Sequence, residues 1–211
     1  MLKKIANFSL VFIALLTFLF IIYYLINAQN QKTYQEINQV KSTDHLKWST
    51  AKKNLLIEYS DFQCPACKSF NDYITKELDN DKSITNKVSF IFRHFPLYQI
   101  HQDAFEPAYA AEAAGRQGKF FEMADLIFAS QKDWENNPNQ KQVFVNLAKK
   151  LELNLDQFAK DYDSQETINK VQSDLKSGEN VGLDSTPTFF LNGKKLEINS
   201  FDNFKKILLN L

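Results

Sequence analysis

Both cysteines of this 211-residue chain lie in one nine-residue stretch, FQCPACKSF, at positions 64 and 67. The stretch follows a short apolar run, NLLIEYS (Asn54–Ser60), which predicts a buried strand. It opens residues 64–78, where apolar residues recur every three or four positions, as in a helix with one buried face. Pro65 suits the first turn of such a helix, because no intrahelical N–H is needed there. The pair is therefore predicted at the junction of a strand and a helix.

Two cysteines at this spacing could serve as a metal clamp, a structural disulfide or a redox centre. A metal site needs two more ligands, and the three histidines (His45, His94 and His101) form no second paired motif. A disulfide within one helical turn closes a loop of four residues, so it would stabilise the fold by only about 2 kcal/mol. We therefore favour the redox centre over a metal or a structural disulfide.

Thiol–disulfide exchange needs a thiolate that attacks and a second thiol that resolves the mixed disulfide. An ordinary cysteine, with a pKa of about 8.5, is only about 3% ionised at pH 7. A helix dipole contributes at most about 2 kcal/mol of the roughly 2.7 kcal/mol that a two-unit pKa shift requires. The amides of Ala66 and Cys67 must add the rest. We predict that Cys64, at the helix start, is the nucleophile and Cys67 the resolving thiol.

The N-terminal residues differ in character from the rest of the chain. Residues 5–26 contain no charged side chain and would extend roughly 33 Å as a helix, enough to cross a hydrocarbon core of about 30 Å. We predict a retained transmembrane signal-anchor over residues 1–27, a polar stalk over residues 28–47 and a working domain over residues 48–211. A cleaved signal is the alternative. Lys3 and Lys4 would stay in the cytoplasm, so the domain would be extracytoplasmic, held at the cell membrane by a single span.

The rest of the domain predicts an α/β layer fold with a helical insertion at about residues 100–180. Residues 87–92 indicate a second strand, several helical runs follow, and residues 187–198 indicate a hairpin with a turn at Asn192-Gly193. A last helix is predicted to begin after Ser200, its N-cap. The chain has 25 basic and 25 acidic residues with no basic run, so nothing favours a nucleic-acid partner.

Four stretches resemble, in order and spacing, the DsbA-like branch of the thioredoxin superfamily. They are LLIEYSDFQCPACKSF, FRHFPL, AAEAAGRQGKFFEMADLIF and STPTFFLNGKKL, and the resemblance covers roughly residues 55–211. It implies a thioredoxin-like fold interrupted by a helical domain. It also implies a cis peptide bond between Thr186 and Pro187, where sequence alone favours trans. Pro187 would then face the cysteine pair, with Thr186, Pro65 and Ala66 as substrate contacts.

The same resemblance suggests roles for polar residues near the pair. Glu58 matches the family's buried acidic residue behind the cysteine helix, which would relay protons to Cys67. The alternative for Glu58 is a solvated carboxylate at a strand end. Asp61 is predicted to be a turn or capping residue. His94 is predicted to be structural or exposed and not catalytic, and His101 to be a helix-start residue.

The resemblance implies a thiol–disulfide oxidoreductase with no cofactor beyond its redox-active cysteine pair. It would oxidise exported proteins and be reoxidised by a membrane partner, which the resemblance suggests is quinone-linked. Strongly oxidising members of the family often carry Pro-His between the cysteines, whereas this chain has Pro65 and Ala66. Because Ala66 offers no side-chain donor, the pair is expected to be less oxidising. A membrane-anchored reductase or isomerase and a non-catalytic chaperone or adaptor remain alternatives.

Overall fold

The computed structural model describes Ile13, residues 15–22 and residues 34–211. Ile13 and residues 15–22 are helical. The predicted anchor over residues 1–27 falls mostly outside the described residues, as does the first part of the predicted stalk. Of the helices in the described part of the chain, none has both the length and the apolar character needed to cross a membrane. Tyr34–Leu211 forms one compact unit, which contains both cysteines.

One mixed sheet of five strands lies within this unit. The strands are β1 (His45–Trp48), β2 (Asn54–Ser60), β3 (Val88–His94), β4 (Thr188–Leu191) and β5 (Lys194–Lys195). Their order across the sheet is β1-β3-β2-β4-β5. β2 and β3 run parallel, and the other neighbouring pairs are antiparallel. β2 is central and covered on both faces, and six of its seven residues are buried.

The helices follow the predicted order. α1 (Pro65–Tyr73) follows β2 and continues as a π-helical turn, Ile74–Leu78, and the short α2 (Lys82–Thr85) precedes β3. The insertion between β3 and β4 contains α3 (Phe105–Gly115), α4 (Phe120–Ala129), α5 (Gln131–Trp134), α6 (Gln140–Lys150), α7 (Leu155–Tyr162) and α8 (Gln165–Asn180). α9 (Phe201–Leu209) closes the chain. The predicted β-α-β, helical, β-β-α order is therefore found, with β1 and the short α2 as additions that were not predicted.

Alternate residues of β2 pack into different cores, as the two-residue period of a strand requires. Leu56 packs with Phe189 and Phe204 on the face covered by α1 and α9. Ile57 and Tyr59 pack on the opposite face. Glu58, two residues after Leu56, therefore lies on the α1 face, beneath the helix that begins beside Cys64.

The folded domain begins earlier than the residue 48 predicted from the sequence. Ile37 is buried in the sheet's second core, and β1 pairs with β3. The guanidinium of Arg93, itself fully buried, donates hydrogen bonds to the carbonyls of Ile37 and Gln39 and to the carboxylate of Asp44. Arg93 holds this segment through backbone carbonyls and one carboxylate, which leave no apolar pattern in the sequence. The polar composition of residues 34–47 therefore predicted a stalk where the chain is in fact folded.

Candidate active site

The two cysteines lie where β2 gives way to α1. Cys64 occupies the N-cap position of α1 with an extended backbone, and Pro65 is the first helical residue. The missing N–H of Pro65 costs nothing there, because the first N–H groups of a helix have no intrahelical acceptor. Both cysteines are free thiols. Cys64 retains 7% exposure and Cys67, one turn along, none.

The pKa of the Cys64 thiol is lowered to about 5. The largest cause is a hydrogen bond with the side chain of Cys67; the side chain of Thr186 and the amides of Cys67 and Ala66 add to it, against the opposing effect of burial. The two amides are those that the sequence predicts. A thiol with this pKa is about 99% ionised at pH 7, compared with about 3% for an ordinary cysteine. Cys64 can therefore act as a nucleophile or as a leaving group in thiol–disulfide exchange.

The neighbouring thiol has the opposite character. Burial raises the pKa of Cys67 well above its ordinary value, and the side chain of Cys64 and the negative charges of Cys64 and Glu58 raise it further. The amide N–H of Asp61 donates to Cys67 Sγ over 3.4 Å and partly offsets this effect. Cys67 is therefore protonated at neutral pH and cannot compete with Cys64 as the nucleophile.

The loop before β4 lies against Cys64. The peptide bond between Thr186 and Pro187 is cis, as the resemblance implies. In the protonated form, Cys64 Sγ donates to the carbonyl oxygen of Thr186 over 3.4 Å. An open groove of about 270 Å³ adjoins this loop and is lined by Phe70, Pro187 and residues of β4 and β5.

Glu58 lies beneath the pair, as the resemblance implies, and is only 2% exposed, so it is not a solvated strand-end carboxylate. Burial, together with the charge of Cys64, raises the pKa of Glu58 to about 7. Its Oε1 atom has no hydrogen-bond partner in the part of the chain that the structure describes. A buried carboxyl that titrates near neutrality beside two thiols can accept or release a proton during exchange.

The structure brings the predicted site residues together. Thr186 helps to lower the pKa of Cys64, and Glu58 helps to raise that of Cys67. Pro65 and Ala66 are solvent-exposed at the start of α1. No group of three or more His, Cys, Asp or Glu side chains within the described residues is arranged to hold a metal ion.

Other polar residues near the pair were predicted only in part. Asp61 forms the expected turn, with its carboxylate accepting from the Gln63 N–H, but the carboxylate also pairs with His101. Gln63 was not predicted at all. Its side-chain amide donates to Glu135 over 3.0 Å and accepts from the Asp103 N–H over 2.9 Å. The partners lie 40 and 72 residues away, so no local pattern could have indicated them.

Of the two predicted roles for His94, structural or exposed, the structure supports the structural one. Its ring is buried, and Nε2 lies 2.8 Å from the Glu112 carboxylate on α3. No sequence pattern indicated Glu112, because an acidic residue in an alanine-rich helix looks like any other solvated position.

Comparison with known proteins agrees with this architecture. Residues 42–210 match a family model described as thioredoxin. Oxidised BdbD from Bacillus subtilis superposes with a TM-score of 0.69 and 20% sequence identity, covering 80% of this chain and 92% of that one. The thiol-disulfide exchange protein alpha-DsbA2 from Wolbachia pipientis superposes with a TM-score of 0.68 and 15% identity, covering 82% and 89%. At these identities the likeness shows the fold alone.

A curated relative by sequence has a different name. The Na(+)/H(+) antiporter NhaA 1 of Mycobacterium sp. (strain KMS) is 34% identical over 155 residues, which is 72% of this chain and 24% of the relative. The chain thus spans about a quarter of the length of the curated relatives that it matches. The structural neighbours include DsbA-type thiol–disulfide oxidoreductases. Since the family match covers nearly all of the folded unit around the cysteine pair, the chain belongs to the thioredoxin family and has a DsbA-like fold.

Proposed function

We propose that this chain is a membrane-anchored, extracytoplasmic thiol–disulfide oxidoreductase that oxidises cysteine pairs in exported proteins. The observation that carries the proposal is the opposite perturbation of two thiols within one helical turn. The pKa of Cys64 falls to about 5, whereas that of Cys67 rises well above its ordinary value. A structural disulfide or a metal clamp would not need this asymmetry.

In the proposed reaction the chain starts with a disulfide between Cys64 and Cys67. A substrate thiolate attacks Cys64 Sγ, the bond between the two cysteines breaks, and Cys67 leaves with the electron pair and takes a proton. The second substrate thiolate then attacks the substrate sulfur of the mixed disulfide, and Cys64 leaves as a thiolate. The substrate loses two electrons and forms a disulfide, and the chain gains them as a dithiol.

The low pKa of Cys64 favours this direction. A thiolate that is stable at neutral pH is a good leaving group, so the second step is fast. The same hydrogen bonds stabilise the reduced chain relative to its disulfide, so the equilibrium favours oxidation of the substrate. Glu58, with a pKa of about 7, can provide the proton that Cys67 takes up when it leaves.

Substrate would contact the chain around Cys64. Pro65 and Ala66 are exposed beside it, and the loop of Thr186 and Pro187 lies against its sulfur. The adjoining groove is lined by Phe70 and by backbone and side-chain atoms of the hairpin, which suits an extended, partly apolar segment. Unfolded exported proteins present such segments.

Turnover needs an electron acceptor, because each cycle leaves the chain reduced. We propose a membrane reoxidase, quinone-linked, as this partner. An anchor over residues 1–27 would keep the domain beside it. The uncharged run of residues 5–26 supports the anchor, as do the exposed apolar side chains of residues 15–22.

Two assays test the activity. The oxidised chain should form disulfides in a reduced, unfolded protein, and the Cys64→Ser variant should not. If the wild-type chain neither does this nor accelerates insulin reduction by dithiothreitol, the proposed activity is wrong and an adaptor role is favoured. The redox state of the pair in cells then gives the direction: a mostly oxidised pair supports a disulfide donor, and a mostly reduced pair supports a reductase.

A further inference from the structure

The carboxylate of Asp61, three residues before Cys64, has more hydrogen bonds than a turn requires. Its Oδ1 atom accepts from the Gln63 N–H over 2.8 Å, the local contact of an Asx turn. Its Oδ2 atom accepts from the Leu97 N–H over 2.8 Å and from Nδ1 of His101 over 2.7 Å. The side chain is fully buried. Because Leu97 and His101 lie on the loop after β3, this carboxylate links the cysteine turn to a distant segment.

The backbone of Asp61 contacts both cysteines. Its N–H donates to Cys67 Sγ over 3.4 Å, and its carbonyl accepts from the Cys64 N–H over 3.1 Å. The carboxylate contacts therefore fix the position of the two backbone groups that face the redox pair. Burial raises the pKa of Cys67, and the hydrogen bond from the Asp61 amide acts in the opposite direction.

We propose that Asp61 is a positioning residue for the redox couple, because its anchored carboxylate holds the Asp61 amide against the Cys67 sulfur. The inference rests on the proposed function, in which Cys67 is the sulfur displaced when a thiolate attacks Cys64. In that step the bond between Cys64 and Cys67 breaks, and a bond forms between Cys64 and the attacking sulfur. Cys67 leaves with the electron pair and is then protonated.

A hydrogen bond to Cys67 matters most when its sulfur carries negative charge. A sulfur whose thiolate is stabilised leaves faster, so the amide should accelerate opening of the disulfide. In the closed disulfide the same sulfur is uncharged and accepts a weaker hydrogen bond. Since Cys67 is protonated again in the reduced couple at neutral pH, the amide should change the rate of opening far more than the equilibrium constant.

The test replaces Asp61 with asparagine in the full-length chain and uses glutathione as the exchange partner. In Asp61→Asn, the amide oxygen can keep the Gln63 contact, but an NH2 group then faces the donors of Leu97 and His101. We expect the rate at which reduced glutathione opens the oxidised couple to fall about tenfold, as loss of a charge-assisted hydrogen bond implies. The equilibrium constant for reduction of the couple should change much less, because Cys67 is a neutral thiol in the reduced chain.

Glu112→Gln is the matched control. Glu112 is also a buried carboxylate, but it pairs with His45 and His94 instead of the cysteine turn. This variant should lower the melting temperature while keeping the rate and the equilibrium constant at their wild-type values. If Asp61→Asn likewise lowers only the melting temperature, Asp61 is merely structural and the inference is overturned.

A second variant decides the matter if Asp61→Asn does not fold. His101→Ala removes one anchor and leaves the carboxylate in place. A smaller fall in the rate at which glutathione opens the couple supports the inference, and an unchanged rate overturns it. Glutathione exchange requires no protein substrate. A wild-type chain that exchanges with glutathione but oxidises no reduced protein would therefore contradict the proposed function alone.

Discussion

Burial alone raises the pKa of a thiol, and at Cys64 hydrogen bonds outweigh it. The side chain of Cys67 contributes most, followed by Thr186 and two backbone amides. At Cys67 burial is the largest influence, and the Asp61 amide offsets only part of it. Two residues of the same type, one turn apart, thus acquire different protonation states. Cys64 is stabilised as a thiolate by the Cys67 side chain, Thr186 and the first amides of the helix, whereas burial dominates at Cys67.

The first prediction concerns the position between the cysteines. The rate of Cys64 alkylation should titrate with a midpoint near pH 5 in the reduced wild-type chain. In Ala66→His, a protonated imidazole at this exposed position should lower the midpoint further and make the couple more oxidising, because a cation stabilises the thiolate. Alkylation rates between pH 3 and pH 9 and glutathione equilibria measure both effects.

Ser69→His is the control for this substitution, since it places a histidine at another exposed position of α1. It should leave both values unchanged. An alkylation midpoint above pH 8 in the wild-type chain would contradict the assignment of Cys64 as the nucleophile. Equal values for Ala66→His and the wild type would show that Ala66 is not the reason for a weaker oxidant.

The second prediction uses the raised pKa of Glu58. Between pH 4.5 and about pH 7 the folded chain keeps a proton on Glu58 that the unfolded chain has lost. The contribution of this carboxyl to stability therefore falls as pH rises through that window, by about 3 kcal/mol in total. In Glu58→Gln this loss cannot occur. Relative to the wild type, the reduced variant should gain stability from pH 4.5 to pH 8, as measured by urea unfolding.

The comparison between variants removes the effect of Cys64, whose lowered pKa acts in the opposite direction. Stability from Cys64 is lost as pH falls towards 5, and it is nearly the same in both chains. A stability difference between wild type and Glu58→Gln that does not change with pH would contradict the raised pKa of Glu58.

Among the elements, those with a continuous or periodic apolar pattern were predictable from sequence. The bounds of β2 coincide with the prediction, and Ser200 caps the last helix by accepting from the Asn203 N–H. β1 was not predicted, since its four residues are all only half-buried and carry no strong alternation. α2 was missed too, since a single helical turn has no period to detect.

The position of Glu58 shows what a strand pattern can and cannot predict. Once β2 is predicted as a strand, the two-residue spacing places Glu58 on the same face of the sheet as Leu56. The pKa of about 7 depends on the helix and loop that cover that face, and these come from distant parts of the chain. The cis bond before Pro187 likewise followed from the family resemblance and not from local preference.

The third prediction concerns β1 and the segment before it. Arg93→Ala removes the partner of Asp44, whose carboxylate is fully buried, and should destabilise the chain by about 3–5 kcal/mol. The amides of β1 should then exchange with solvent faster, as hydrogen exchange measured by mass spectrometry would show. Lys141→Ala is the control, because it breaks an exposed ion pair with Asp163 and should cost less than about 1 kcal/mol. Equal effects would contradict the role of Arg93.

At the scale of the whole molecule, buried charges join the early segment, the sheet and the helical insertion. Glu112 on α3 contacts His45 from β1 and His94 from β3. Despite burial, the hydrogen bonds from these histidines hold the pKa of the carboxyl well below its usual range. Lys170 on α8 pairs with Asp174 and approaches Glu112 within 4.0 Å. These residues are far apart in sequence, so composition alone could not reveal that the insertion and sheet share one network.

This network sets the shortest chain that should fold. A chain of residues 34–211 keeps Asp44, His45 and all of β1, so it should be stable and should match the full-length chain in glutathione exchange. A chain of residues 49–211, the domain predicted from sequence to within one residue, leaves Arg93 and Glu112 without these partners. It should be strongly destabilised, since the buried charge of Arg93 loses its carboxylate partner, which costs several kcal/mol, whereas Glu112 keeps His94.

The same chains test the proposed anchor. The full-length chain should sediment with membranes after expression in bacteria, resist extraction by carbonate, and have its cysteine domain accessible to protease from outside the cytoplasmic membrane. The chain of residues 34–211 should remain in the supernatant while keeping its exchange activity, because the redox chemistry resides entirely in that unit. If the full-length chain is also found in the supernatant at its intact mass, the proposed anchor is wrong although the redox chemistry stands; a shortened product would instead favour a cleaved signal.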